Sequence, residues 1–339
     1  MAQLLNSLHD ILHSILTEPA QELFFSRNDS EDIRMGDIVA KNREQWNEKI
    51  DIAILGVPQD EGVKRNRGRE GARKAPTEIR RALYKLTPFL PATPDIKRIS
   101  SLRILDIGDI RLGATLEETH DRLETTVAAL SENGIFPIVL GGGHDISYPN
   151  FRGFSRQAQR VGVVNIDTHL DYRPPVLTEQ GLMRHSGTSF RLMLDETEPK
   201  LLPPNMVEFG IQPFANVEAH FNALRERGAA IMMLGELREK GIKTAFTEAL
   251  RIAEQGTERI MVSFDMDAVR SSDAPGVSAP SPTGLFAEEI LEAAFQAGKN
   301  RLVRLIDIVE VNPEYDADGR TAKLAALVVM HLLAGYCQR

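Results

Sequence analysis

The sequence predicts an α/β fold: a three-layer α/β/α arrangement around a parallel, about eight-stranded sheet. Short, near-continuous apolar runs recur along the chain, and stretches with helical periodicity separate most of them. Unbroken apolar strands are those buried on both faces, as in a parallel sheet covered by helices. No internal repeat, low-complexity tract or Ser/Gly linker divides the 339 residues, so one main domain is expected.

The elements follow in chain order. Leu4, Leu5, Leu8, Ile11, Leu12, Ile15 and Leu16 recur at helical spacing. With no basic leader before them and Asp10 among them, they predict an amphipathic helix rather than a secretory signal. A polar stretch over Ser26–Asp32 and a connector complete an N-terminal segment, 1–49. The first strand is expected at Ile50–Leu55 and opens the main domain, 50–339. Further strands are expected at Leu102–Ile107, Ile135–Leu140, Val161–Ile166, Met206–Ile211, Ala230–Leu234, Arg259–Phe264 and Leu302–Val309. Helices are expected over Leu116–Leu130, Val217–Glu226, Thr244–Glu254, Ala287–Ala297 and Thr321–Leu333.

Composition narrows the class. With 42% hydrophobic and 26% charged residues, the chain has the make-up of a globular protein with a sizeable core. A net charge of −8 and no long Lys/Arg block argue against nucleic acid as a partner. The longest near-apolar run, Leu324–Cys337, contains His331 and falls short of the roughly 20 residues a membrane span needs. A lone Cys337 leaves no disulfide within the chain and no Cys-rich zinc site, so a cytoplasmic location is expected.

Ligands of parallel α/β sheets bind beyond the carboxyl ends of the strands. Three expected strand ends run into Gly141-Gly142-Gly143-His144-Asp145, Asp167-Thr168-His169-Leu170-Asp171 and Asp265-Met266-Asp267. In extended backbone, residues i, i+2 and i+4 share a side, so Asp167, His169 and Asp171 converge, as do Asp265 and Asp267. Four gathered carboxylates repel one another unless cations hold them. Two divalent ions about 3.5–4 Å apart would suit these six ligands and make an activated water available. The oxygen-rich, sulfur-free set favours Mn²⁺, with Zn²⁺, Ni²⁺ or Fe²⁺ as alternatives by affinity. Taken singly, each motif has a plainer reading. Asp-x-Asp is often a turn or cap, and a triple glycine suggests a phosphate loop, though no Lys-Ser/Thr follows it here.

At these residues the sequence resembles the ureohydrolase (arginase/agmatinase) superfamily. Ala274-Pro275-Gly276, Thr283-Gly284-Leu285 and Glu310-Val311-Asn312-Pro313 follow in the family's order. The resemblance runs from about Ile50 to the C-terminus and implies an arginase-like catalytic domain, two Mn²⁺ per subunit and hydrolysis of a C–N bond in an amidine or guanidinium group. Carried over, it implies that His144 and Asp171 bind one ion, His169 and Asp267 the other, and that Asp167 and Asp265 bridge. Glu310 matches the carboxylate that accepts hydrogen bonds from the cationic amidinium. The family also implies a homo-oligomer, a trimer or hexamer.

Within that superfamily, Asp60–Ala72, Ala75-Pro76, Ile79-Arg80 and Ser186-Gly187-Thr188-Ser189-Phe190 look like the formimidoylglutamase branch, which implies N-formimidoyl-L-glutamate as substrate and histidine breakdown as context. An acidic substrate needs cationic partners. Arg65, Arg67, Arg69, Arg184 and Arg270 lie in loops that could reach the site, and Asn66, Arg69, Arg184 and Arg270 are the substrate-binding candidates. For each arginine the plainer alternative is a solvated or ion-paired residue. Arginases and agmatinases carry His-Gly where this chain has His185-Ser186-Gly187, so the implied proton-shuttle role of His185 comes with a one-residue offset. The Asp-Pro expected after the last metal motif is altered to Ser272-Asp273 before Ala274-Pro275. An arginase, an agmatinase or a catalytically silent relative are the alternative readings.

Overall fold

The computed structural model describes residues 14–41, 49–91, 96–178, 181–196 and 200–339. The expected N-terminal helix lies outside these residues except at its end. There Leu16 departs from it: Leu16–Thr17 (β1) is a strand, paired antiparallel with Ile104–Ile110 (β3). Its backbone completes the edge of the sheet, an interaction with residues 92 to 94 positions away that local periodicity does not carry.

All eight expected strands form. They are Ile52–Gly56 (β2), β3, Phe136–Leu140 (β4), Val161–Ile166 (β5), Met206–Ile211 (β8), Ala230–Met233 (β9), Arg259–Asp265 (β10) and Val303–Val309 (β11). They pair in parallel in the order β3-β2-β4-β11-β10-β5-β8-β9, with β1 on the outer edge of β3. A separate antiparallel hairpin joins Val176–Thr178 (β6) and Gly181–Met183 (β7). Sequence reasoning missed it because its residues are short in number and largely exposed.

The strands β2, β4, β5 and β8 are buried at every position, as their unbroken apolar sequences require, and β10 and β11 at all but one position each. Side chains alternate between the two faces. Ile52, Ile54, Ile138, Val164 and Val262 join a core with the helices Ala75–Leu83, Ile242–Ala253, Ala287–Lys299 and Arg320–Tyr336. Ala53, Leu55, Val139, Val163 and Met261 join the opposite core with Leu116–Glu132, Ser147–Ser155 and Ser189–Leu194. Each fully buried Val, Leu, Ile or Phe contributes about 1.5–3 kcal/mol relative to exposure. No described helix is long and apolar enough to cross a membrane.

Register brings the functional loops together. Ile166 pairs with Phe264, and Ile308 pairs with Leu140. Four neighbouring strands, β4, β11, β10 and β5, therefore end at one level. The residues that follow them meet above the middle of the sheet.

Candidate active site

The loop after β4 is built on close approach. A Cβ on Gly142 would lie 1.7 Å from the Gln59 carbonyl oxygen, and one on Gly143 would lie 2.5 Å from Val63 Cγ2. The triple glycine thus seats the chain against the 57–63 segment and delivers His144 to the site. The His144 N–H donates to Glu310 Oε1 at 2.8 Å, while the Glu310 N–H donates to Gly142 O at 2.9 Å. This reciprocal pair clips two strand ends together. Glu310 (φ 61°) and Asp171 (φ 44°) both sit in the left-handed region, a strain of roughly 1–3 kcal/mol each that the surrounding contacts must hold.

Asp167 and Asp265 are fixed in the same way. Asp167 Oδ1 accepts the His169 N–H at 2.7 Å, and Asp265 Oδ1 accepts the Asp267 N–H at 2.8 Å. A short carboxylate bonded to the backbone two residues ahead locks its own turn. The second oxygen of each is left facing the centre. His144 Nδ1 lies 3.3 Å from Asp167 Oδ2, 2.9 Å from Asp171 Oδ2 and 2.9 Å from Asp265 Oδ2. His169 Nδ1 lies 3.4 Å from Asp167 Oδ1 and 3.1 Å from Asp267 Oδ2.

These contacts fit a pair of hard divalent cations. Two donor groups result: His144, Asp167, Asp171 and Asp265, and then Asp167, His169 and Asp267, with Asp167 common to both. His144 Nδ1 is buried among three carboxylate oxygens within 2.9–3.3 Å, with no hydrogen-bond partner of good geometry. Asp267 Oδ1 is likewise buried without a hydrogen-bond partner. On the other side of the His144 ring, Nε2 donates to Ser263 Oγ at 3.0 Å, and Ser263 donates to Asp307 Oδ1 at 2.5 Å. That chain puts the proton on Nε2 and turns the Nδ1 lone pair inward.

The protein alone cannot keep all these carboxylates ionised. Burial raises Asp265 well above the usual carboxylate range, with Asp267 and Asp167 adding to it. Asp267 is pushed up to about 6 by burial against the pull of His169, and Glu310 to about 8 by burial and then Asp267. Asp167 goes the other way: burial raises it, but His144 and His169 together hold it low.

Above this floor opens a cavity of about 310 Å³ that Glu310 also lines. Of the four substrate-binding candidates, Asn66 and Arg69 line it and Arg184 and Arg270 do not. Arg184 lies over the Tyr148 ring at 5.4 Å. Arg270 pairs with Asp273 at 2.9 Å and covers Phe286 at 4.3 Å. Arg65 is held by Glu117 at 2.6 Å. His185 is buried behind the lining, and its Nδ1 accepts the Gly187 N–H at 3.1 Å. Burial holds this imidazole below its ordinary range. Ser186, its neighbour, faces the cavity and accepts from Asn66 Nδ2 at 3.0 Å. Sequence reasoning missed Arg173, Asn216 and His220, which also line the cavity. Arg173 had a usable signal, its place two residues after Asp171.

The comparisons with known proteins agree with this geometry. The sequence model of the Arginase family matches residues 50–335. The chain is 36% identical over 295 residues to formimidoylglutamase of Geobacillus sp. (strain WCH70), covering 85% of this chain and 84% of that one. Trypanosoma cruzi formiminoglutamase, solved with Mn²⁺, superposes with a TM-score of 0.82 at 37% identity, covering 91% of this chain and 99% of that one. Formimidoylglutamase of Bacillus subtilis gives 0.82 at 29% identity, covering 96% and 97%. On the matched length, the sheet order and the strand-end histidines and aspartates, the chain belongs to the arginase family.

Proposed function

We propose that the protein is a binuclear-metal hydrolase of a linear amidine, converting N-formimidoyl-L-glutamate and water to L-glutamate and formamide. The observation that carries this reading is a single cavity with two metal-ligand groups and Glu310 at its floor and arginines on its wall, in a chain whose relatives are named for that reaction. His144, Asp171 and Asp265 would hold one Mn²⁺ and His169 and Asp267 the other, with Asp167 common to both donor groups; a bridging role for Asp265 comes from the family resemblance. When bound, such a pair neutralises the carboxylates and makes an acidified water available near neutral pH.

The chain's own groups handle the substrate. With Oε1 of Glu310 held by the His144 N–H, Oε2 is the atom that accepts from the amidinium N–H. Burial makes Glu310 ionise reluctantly, so it pairs best with a cation, which a planar amidinium supplies. In the reaction the amidine carbon gains the water oxygen, and its bond to the glutamate nitrogen breaks. That nitrogen leaves with an added proton, while the imino nitrogen stays in formamide.

Purified protein loaded with Mn²⁺ is expected to release formamide from N-formimidoyl-L-glutamate. Urea from arginine or agmatine, with no formamide, would overturn the reading. The family resemblance also carries a cytoplasmic homotrimer or hexamer into this proposal, which sedimentation velocity checks.

A further inference from the structure

The amidine head accounts for the floor of the cavity and leaves its wall unexplained. Three arginines line that wall: Arg67, Arg69 and Arg173. Arg69 is engaged by the fold. Its Nε donates to Ser278 O at 3.0 Å, its Nη2 donates to Val277 O at 2.7 Å, and its guanidinium lies 4.4 Å from the centre of the Tyr315 ring. The guanidinium groups of Arg67 and Arg173 have no hydrogen-bond or ion-pair partner among the described residues, and both side chains are exposed to the cavity mouth.

Nothing on this wall compensates them. The carboxylates that line the cavity, Asp171, Asp265, Asp267 and Glu310, belong to the floor. The other lining groups Asn66, Asn216 and His220 carry no negative charge, and His220 is held below its ordinary range by burial and then by Arg173.

Backbone features put both arginines there. Arg67 has φ 62° just past the helix Glu61–Arg65, a position that favours glycine, so an arginine is kept at a conformational cost. The Arg173 N–H donates to Gly187 O at 2.8 Å. A Cβ on Gly187 would lie 3.0 Å from Arg173 Cδ and 3.1 Å from Asn66 Nδ2, so the glycine leaves room for the arginine stem.

We infer that Arg67 and Arg173 bind the two carboxylates of the substrate and so select a dicarboxylate amidine over guanidines with a cationic or neutral tail. The inference rests on the linear-amidine reading above and deepens it. A guanidinium matches a carboxylate with paired N–H donors, and it repels a cationic tail.

The test uses the full chain loaded with Mn²⁺ and its variants Arg67→Gln, Arg173→Gln and Arg173→Lys. Three substrates are compared: N-formimidoyl-L-glutamate, N-formimidoyl-L-glutamine and N-formimidoyl-4-aminobutyrate, the last two lacking one carboxylate each. Each Gln variant should raise KM for the dicarboxylate on the order of 10- to 100-fold, as loss of a charged hydrogen-bond partner does. The values of kcat, Mn²⁺ content and Tm should stay near those of the unaltered chain. Arg173→Lys should recover part of the loss. On the analogue lacking the carboxylate that an arginine binds, substituting that arginine should have no further effect. Calorimetric binding of L-glutamate gives a second readout that needs no turnover, and the Gln variants should weaken it similarly. If the unaltered chain makes no formamide, the proposed activity fails, while L-glutamate binding still decides the role of the arginines. KM and L-glutamate affinity within about twofold of the unaltered chain in both Gln variants, or equal losses on all three substrates, would overturn the inference.

Discussion

Single side chains behind the candidate metal ligands fix how those ligands are presented. Ser263 stands between His144 and Asp307 and fixes which imidazole nitrogen carries the proton. Ser263→Ala should weaken Mn²⁺ binding about 10- to 100-fold while the chain still folds, as removal of such outer partners does. Calorimetric titration with Mn²⁺ reads this directly, and unchanged affinity would remove Ser263 from the argument. For His185 the geometry favours a role in the turn, since its Nδ1 holds the Gly187 N–H and the ring lies behind the cavity lining. His185→Ala should therefore cost about 1 kcal/mol of stability, the scale of one hydrogen bond, and leave the shape of the pH–rate profile intact. Loss of one limb of that profile would restore the proton-shuttle role. The six candidate ligands could be picked out because strand-end position and two-residue spacing are local properties of the sequence. The fate of an arginine is not local. Arg184 and Arg270 sit in the right loops, yet Tyr148 in one case and Asp273 with Phe286 in the other engage their guanidinium groups.

At the scale of elements, the strands and helices were legible wherever burial imposes a period. The expected strand Val161–Ile166 matches the observed one at both ends, and Ala287–Lys299 extends the expected helix by two residues. β1 was not legible, since its two residues are strand only through pairing with β3. Helix crossings are also hidden from the sequence. A Cβ on Gly298 would lie 2.1 Å from Leu332 O, and one on Gly335 would lie 2.1 Å from Phe295 O. The helices Ala287–Lys299 and Arg320–Tyr336 therefore cross backbone to backbone at these two glycines. Gly298→Ala gains up to about 1 kcal/mol of helix propensity. Overpacking of a tight contact costs about 1–3 kcal/mol, so net destabilisation is expected, read as a lower urea midpoint. A midpoint that stays or rises would mean the helices can separate without loss.

For the whole molecule, the buried carboxylates tie stability to pH and to cations. In the metal-free protein Asp267 at about 6 and Glu310 at about 8 bind protons more tightly than in the unfolded chain. The folded state then carries more protons between about pH 4 and 8, so its stability falls as pH rises through that window. Bound cations remove this loss. The rise in Tm on adding Mn²⁺ should be larger at pH 8 than at pH 5.5, with a stabilisation of about 4 kcal/mol when Mn²⁺ exceeds its Kd a thousandfold. Equal gains at both pH values would mean that these carboxylates are not what the ion binds. The sheet order has a consequence for biosynthesis as well. β11 carries residues 303–309, yet it lies between β4 and β10, both made earlier. A nascent chain on the ribosome that stops short of residue 303 thus has a gap at the centre of its sheet and lacks Glu310. The middle of the sheet is the last part of it to be completed, with the helix Arg320–Tyr336 still to follow, so proofreading by chaperones and proteases has a long interval in which to act before activity can begin.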